Sequence, residues 1–244
     1  ASAVAKLRSE GFKGSITMIC KEHHLPYQRP PLSKKYLLGE MMVDRLYLRP
    51  FGFYEDQNIT LHLGRMVDRI DRKKKQVYVG DTAFDYDALI LTLGSQPRVL
   101  SDAIGGQLEK VFTVRDLANV DGLAPEFFAK QRVLIIGGGY IGLEAAAVAA
   151  QRGLKVTLVE MAERILQRVA APQTSDFFRQ LHISNGVNIK EGVRVEKLVG
   201  DNGIVANAIL SDGSRIEADF VIIGIGITPV TDIAASSGLA VCDG

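Results

Sequence analysis

Apolar and polar positions follow different periods along this chain, and the sharpest change lies between Arg132 and Glu160. Arg132 leads into Val133, Leu134, Ile135 and Ile136. This unbroken apolar run predicts a parallel strand covered on both faces, because a half-exposed strand alternates instead. Gly137, Gly139 and Gly142 follow, and an Ala-rich helix is predicted from Tyr140 to Gln151. Lys155 to Val159 predicts the next strand, and Glu160 closes it. The unit therefore reads strand, glycine turn, helix, strand, acid.

Upstream, Ala1 to Glu10 predicts a helix with Ala3, Val4 and Leu7 on one face, Gly11 to Gly14 its stop, and Ser15 to Cys20 a strand. A helix feeding such a strand is the second half of a mononucleotide-binding unit. Its first strand and glycine turn are absent, so we expect a fragment, a processed product or an incomplete molecule whose missing piece would hold another pyrophosphate. In Leu25 to Leu38, Pro30 and Pro31 predict a helix start, since proline lacks only a donor that the first turn leaves unused. Lys34 then falls in the first turn, where the helix dipole disfavours a cation, so it reads either as functional or as simply solvated. Met41 to Asn58 predicts short helical pieces whose aromatic residues enter the core.

From Ile59 the period shortens. Leu61, Leu63, Met66 to Ile70, Gln76 to Val79, Phe84 to Tyr86 and Leu89 to Leu93 predict short strands, with Asp71 to Lys75 as a hairpin tip. The last of these is a buried strand punctuated by Gly94 and Pro97. A crossing segment leads to Val111 to Arg115 and a helix over Asp116 to Lys130. Past the central unit, Gln173 to Ser184 is amphipathic, Val187 to Val199 and Ile204 to Leu210 predict antiparallel strands, and Asp219 to Ile223 a final apolar strand before Gly224, Gly226, Thr228 and Pro229.

Composition narrows the function class. At 244 residues, 47% hydrophobic and 23% charged, the chain has room for two domains of ordinary composition. A formal net charge of +1 offers no global attraction to nucleic acid or to an acidic membrane. No apolar run approaches a membrane span, and no leader pattern is present, so a cytoplasmic protein is expected. Cys20 and Cys242 stand in neither disulfide nor zinc spacing, and four scattered histidines form no ligand set, so no metal is expected. Cys20 reads as a small buried residue at a strand end. The cations of Asp71 to Lys75 read as a solvated turn or as a docking patch for an acidic protein.

Gly137, Gly139 and Gly142 carry Gly-x-Gly-x-x-Gly spacing within a complete strand, turn, helix and strand. The first permits a tight turn, the second lets a pyrophosphate approach the backbone, and the third lets helix and strand pack closely. Glu160 lies about twenty residues beyond, where a carboxylate accepts hydrogen bonds from both hydroxyls of an adenosine ribose and repels a ribose phosphate. The ligand read from these residues is NAD(H). A glycine-rich turn that only packs a helix against a sheet would leave Glu160 unexplained.

The segments LPYQRPPLSK, LTLGSQPR, VFTVRD, VLIIGGGYIGLEAA and VIIGIGITP, in this order, resemble the NADH-dependent ferredoxin reductases of the putidaredoxin reductase and rhodocoxin reductase type, over essentially the whole chain. Apoptosis-inducing factor shares the pattern. The resemblance implies an α/β fold of two Rossmann-like nucleotide-binding domains with three-layer ββα architecture, the NAD domain inserted in an incomplete FAD domain. Residues 1–97 would be FAD domain, 98–226 NAD domain, and 227–244 the start of the return. It places Arg29, Lys34, Val67 and Arg115 at FAD-contacting positions, and Gly138, Gly139, Tyr140, Ile141, Glu160 and Gly226 at NAD-contacting ones. Lys34 and Glu144 match a pair beside the flavin ring, although a carboxylate one turn into a helix is also favoured by the dipole. Tyr140 matches an aromatic residue that covers the flavin, or is plain packing. Three departures stand out. The amino-terminal FAD glycine loop and a later Gly-Asp segment are absent. Lys21 replaces the acid expected at the FAD ribose, leaving Glu22 to substitute. The cysteine pair of disulfide-reducing relatives is missing from residues 25–34. The implied activity is electron transfer from NADH through FAD to a ferredoxin-type iron-sulfur protein. The alternatives are a redox or signalling protein like apoptosis-inducing factor, and an NADH oxidase.

Overall fold

The computed structural model describes residues 1–242. The chain divides into two compact units, one of residues 1–28, 42–95 and those from 229 on, the other of residues 29–41 and 96–228.

In the first unit, α1 (Ser2–Ser9) leads to β1 (Ile16–Cys20), and α2 (Phe51–Asp56) to β2 (Ile59–Leu63). β1 and β2 form a two-stranded parallel sheet, with Ile16, Leu25, Tyr54 and Ile59 as its buried cluster and Val4 and Leu7 of α1 packed against it. β3 (Arg69–Asp71), β4 (Gln76–Val79) and β5 (Thr82–Asp85) make an antiparallel meander. Asp71 accepts the backbone N–H groups of Lys73 and Lys74 at its tip.

The expected buried strand at Leu89 to Leu93 is not formed. The segment is irregular, and Leu89, Ile90 and Leu93 are 37%, 60% and 37% exposed. An apolar run supplies side chains for a core, but a parallel strand also needs a neighbour for its backbone groups. Cys20, expected buried, is half-buried, and burial still pushes its thiol pKa up. β6 (Ser95–Pro97), which the pattern did not predict, pairs with β15 (Ile227–Pro229), after which α6 covers Asp232–Ser236.

The second unit holds β7 (Val111–Thr113), α3 (Leu117–Leu123), β8 (Arg132–Ile136), α4 (Tyr140–Gln151), β9 (Lys155–Glu160), α5 (Pro172–Ser184), β10 (Val187–Glu191), β11 (Val195–Asp201), β12 (Ile204–Leu210), β13 (Arg215–Glu217) and β14 (Phe220–Ile223). Five strands form one parallel sheet in the order β10-β9-β8-β14-β7. Alternate residues serve its two faces. Leu134, Ile136, Val159, Val221 and Ile223 pack on Leu198, Val205, Ala208 and Leu210 of the antiparallel sheet β11-β12-β13. The other face meets α3, α4 and α5, with Phe220 tilted against Phe127 at 5.6 Å between ring centroids. The layers are sheet, sheet and helix, the expected ββα order.

Three predicted elements differ for identifiable reasons. Val187 to Val199 is two strands in different sheets, β10 extending the parallel sheet and the chain turning at Gly192 before β11. The helix after Asp116 begins with a capping box between Asp116 and Asn119, but changes to a 3-10 turn, Ala124–Glu126, that carries Pro125. Pro30 starts only a 3-10 turn, Pro30–Ser33, after which Lys34 leaves helical geometry at φ −133° and ψ −115°. Lys34 therefore ends a turn rather than opening a helix, so it does not sit against the positive end of a helix dipole as expected.

At the amino ends of β8 and β14, the backbone N–H of Arg132 donates to Asp219 Oδ2 at 2.7 Å, and its guanidinium pairs with Asp219 Oδ1 at 2.5 Å and with Glu217. These hydrogen bonds hold the Asp219 carboxyl pKa below its ordinary value. A lowered folded-state pKa contributes stability above the unfolded value of about 3.9 that is lost as pH falls through the folded one. Asp219→Asn should therefore lower stability at neutral pH and flatten its fall below about pH 5 in urea titrations. An acid profile unchanged from wild type would remove Asp219 from the account.

Candidate functional site

The carboxyl ends of β8, β9 and β14 converge on the glycine turn. Gly137 takes φ +107°, and its N–H donates to Val159 O at 2.8 Å. A Cβ on Gly142 would lie 1.9 Å from Gly137 O, and one on Gly137 2.4 Å from Gly224 O. A side chain at either position would push backbone away, so the close packing of α4 over β8 and β14 requires bare Cα atoms there. Gly139, the N-cap of α4, differs: a Cβ would meet nothing within 4 Å, leaving open space in front of the first-turn N–H groups.

Glu160 closes the turn from the neighbouring strand. Its Oε2 accepts the Gly138 N–H at 2.6 Å and its Oε1 the Ala162 N–H at 2.8 Å. Each oxygen keeps a second lone pair. On the other side, Leu166 N–H donates to Gly138 O at 2.9 Å, and buried Ile165 fills the place where a Gly138 side chain would be. The loop that carries Ile165 is held by Glu191, which accepts the Ile165 N–H at 2.7 Å and pairs with Arg179.

Lys34 and Glu144 meet in the same unit. Lys34 Nζ lies 2.7 Å from Glu144 Oε2, with side chains 47% and 29% exposed, and also donates to Pro30 O at 3.2 Å. Ser33, which the sequence did not single out, donates from Oγ to the same Glu144 oxygen at 2.5 Å. Nothing in its position distinguished it beyond being next to Lys34. Two further bonds fix the segment 29–41, one from Arg152 to Leu38 O and one from the Tyr36 hydroxyl to Asp121 Oδ1 at 2.7 Å.

Arg29 Nη1 donates to Arg115 O at 2.8 Å. Tyr140 and Ile141 lie exposed in the first turn of α4, the tyrosine at 60%. Gly226, at φ +108°, accepts the Arg98 N–H at 3.0 Å. In the first unit, Glu22 accepts the Tyr27 hydroxyl and Val67 is half-buried between β2 and β3. Among the described residues no cluster of His, Cys, Asp or Glu has the arrangement of a metal site, and no helix is long and apolar enough to cross a membrane.

Comparison with known proteins decides the family. The profile of the pyridine nucleotide-disulphide oxidoreductases matches residues 1–244. The chain belongs to this family. It is 43% identical to a ferredoxin–NAD(P)(+) reductase from Sphingomonas sp, over 99% of this chain and 60% of that protein. It is 40% identical to a putidaredoxin reductase from Pseudomonas putida, over 98% and 58%. The crystal structure of a covalent putidaredoxin reductase–putidaredoxin complex superposes with a TM-score of 0.95 at 39% identity, covering all of this chain and 60% of that one. The chain thus spans about three fifths of the length of these relatives.

The two kinds of glycine in this family's turn predict opposite outcomes. Gly142→Ala forces Cβ onto Gly137 O and should destabilise by about 1–3 kcal/mol or more, against the usual advantage of alanine within a helix. Gly139→Ala enters open space and should stay within about 1 kcal/mol of wild type, as expected for an N-cap substitution. Urea unfolding of the two variants checks this; equal losses would mean that the turn is not packed as described.

Proposed function

We propose that this chain provides the nucleotide-binding units of an NADH-dependent flavoprotein reductase that delivers electrons to a ferredoxin-type iron-sulfur protein, in the cytoplasm. The observation that carries the reading is the Lys34–Glu144 pair, which joins the glycine-turn helix to the Pro30–Ser33 turn within one unit. The relatives named for ferredoxin and putidaredoxin reduction support the same assignment.

The residues present fit NADH. Open space at Gly139 faces the free N–H groups of a twelve-residue helix, which suits a pyrophosphate. Glu160 is held in place by two backbone donors and still has lone pairs for both ribose hydroxyls. Its charge opposes a phosphate on that ribose. Gly138, Ile141 and Gly226 contribute backbone around the dinucleotide, and Tyr140 its exposed ring.

The residues also fit a flavin. Of the three donors on the Lys34 ammonium, two are taken by Glu144 Oε2 and Pro30 O, and one is uncommitted. Arg29, Lys34 and Arg115, all in the second unit, are proposed as flavin contacts. When bound, the flavin would accept hydride from NADH and release electrons singly to the iron-sulfur partner. Lys34 would supply a cation to offset negative charge on a reduced flavin, and Glu144 would keep that cation oriented.

The test uses full-length protein loaded with FAD, followed by absorbance as NADH is added without oxygen. Bleaching followed by rapid ferredoxin reduction is expected; a protein that takes up no flavin, or that stays yellow with NADH, would defeat the reading. Lys34→Ala should slow the bleaching step by on the order of 10²-fold while leaving NADH affinity nearly unchanged. Glu160→Ala should weaken NADH binding roughly tenfold and narrow the preference over NADPH, since charge-assisted hydrogen bonds are lost. Unchanged constants for both coenzymes would refute the ribose assignment.

A further inference from the structure

We infer that Ser33 is a positioning residue for hydride transfer, acting by holding Glu144 and through it the Lys34 ammonium. The inference rests on the reductase reading above and extends it to a residue outside the pair. Ser33 is 2% exposed, and its hydroxyl donates to Glu144 Oε2 at 2.5 Å, the same oxygen that Lys34 Nζ approaches at 2.7 Å. A half-exposed lysine and glutamate on their own hold no single geometry, because each has several rotatable bonds and water competes for both. A buried serine has one. Its backbone is fixed as well, since Pro30 and Pro31 lock φ at the start of the turn that ends on Ser33.

The contacts close a loop. Lys34 Nζ bonds Pro30 O and Glu144 Oε2, Ser33 Oγ bonds Glu144 Oε2, and Pro30, Ser33 and Lys34 share one short turn. Glu144 is thereby held by two donors from a rigid segment, one of them buried. A hydroxyl donating to an ionised carboxylate forms one of the stronger classes of hydrogen bond. Remove it, and Oε2 keeps only a partner that can swing into solvent. The cation would then lose its fixed position without losing its charge.

Full-length flavin-loaded protein carrying Ser33→Ala, Ser33→Thr and Lys34→Ala tests this. Ser33→Ala should lower the maximal rate of flavin bleaching by NADH about tenfold, as small misplacements of a reacting site do, with the NADH dissociation constant within about twofold of wild type. The flavin potential should become more negative, and Ser33→Thr, which keeps the hydroxyl, should restore rate and potential. Added to Glu144→Ala, which removes the acceptor, Ser33→Ala should have little further effect, because both changes break the same contact.

A second readout needs no turnover. Acetylation of Lys34 relative to its exposed neighbour Lys35, read by mass spectrometry before and after flavin loading, should rise several-fold in Ser33→Ala. A wild-type bleaching rate in Ser33→Ala, a slow rate with an unchanged Lys34 to Lys35 labelling ratio, or failure of threonine to rescue would each overturn the inference. If Lys34→Ala slows bleaching while Ser33→Ala does not, only the role of Ser33 fails. If neither does, the reductase reading of the pair fails as well.

Discussion

The second unit depends on a close approach between backbones: the carbonyl oxygen of Gly137 occupies the place where a side chain on residue 142 would begin. That contact sets the distance from α4 to β8, and with it the position of the helix N-terminus above the carboxyl ends of the parallel strands. Everything chemical in the unit is measured from there. Glu160 reaches Gly138 because β9 lies beside β8 in register, Ile136 opposite Val159. Glu144 is presented one turn into the same helix, where Lys34 and Ser33 find it.

The energetics of the Lys34–Glu144 pair argue about its purpose. Partly exposed ion pairs of this kind contribute about 0–1 kcal/mol to stability, less than a single buried methyl-rich side chain. The buried strands of the parallel sheet already hold the unit together, and the Arg132–Asp219 contact ties their amino ends. A pair that adds so little to folding, yet has a buried hydroxyl committed to one of its oxygens, is consistent with the cation role proposed for Lys34. The exposure of Lys34 points the same way, since a group that meets a ligand must keep part of its surface accessible.

The sequence made the central unit legible because its signals are local and redundant. A four-residue apolar strand, three glycines at fixed spacing, an Ala-rich helix and a terminal acid each constrain the others, and the structure places all of them as expected. Leu89 to Leu93 shows the opposite case. Its side chains read as a buried strand, but strand formation depends on a partner elsewhere in the chain, which residue type does not encode. Pro30 failed in another way. Proline can begin a helix but does not lengthen one, and the buried Leu32, Ser33, Leu37 and Leu38 anchor the following residues in turns. Ser33 had no signal at all, because a serine beside a lysine is commonplace until the fold brings a carboxylate to it.

That last case bears on how the fold makes a site from ordinary residues. Residues 29–41 are far in sequence from α4, yet they fold with the second unit, pinned by Arg152 to Leu38 O and by Tyr36 to Asp121. The cation of the pair thus comes from one stretch of chain and the anion from another. Either side chain alone would be an unremarkable solvated charge. Their meeting requires the glycine contact to place the helix and the two prolines to stiffen the turn. The site is therefore a consequence of backbone constraints first and of charges second: the buried Ser33 and the exposed Lys34 meet on one Glu144 oxygen because the turn that carries them is held against α4.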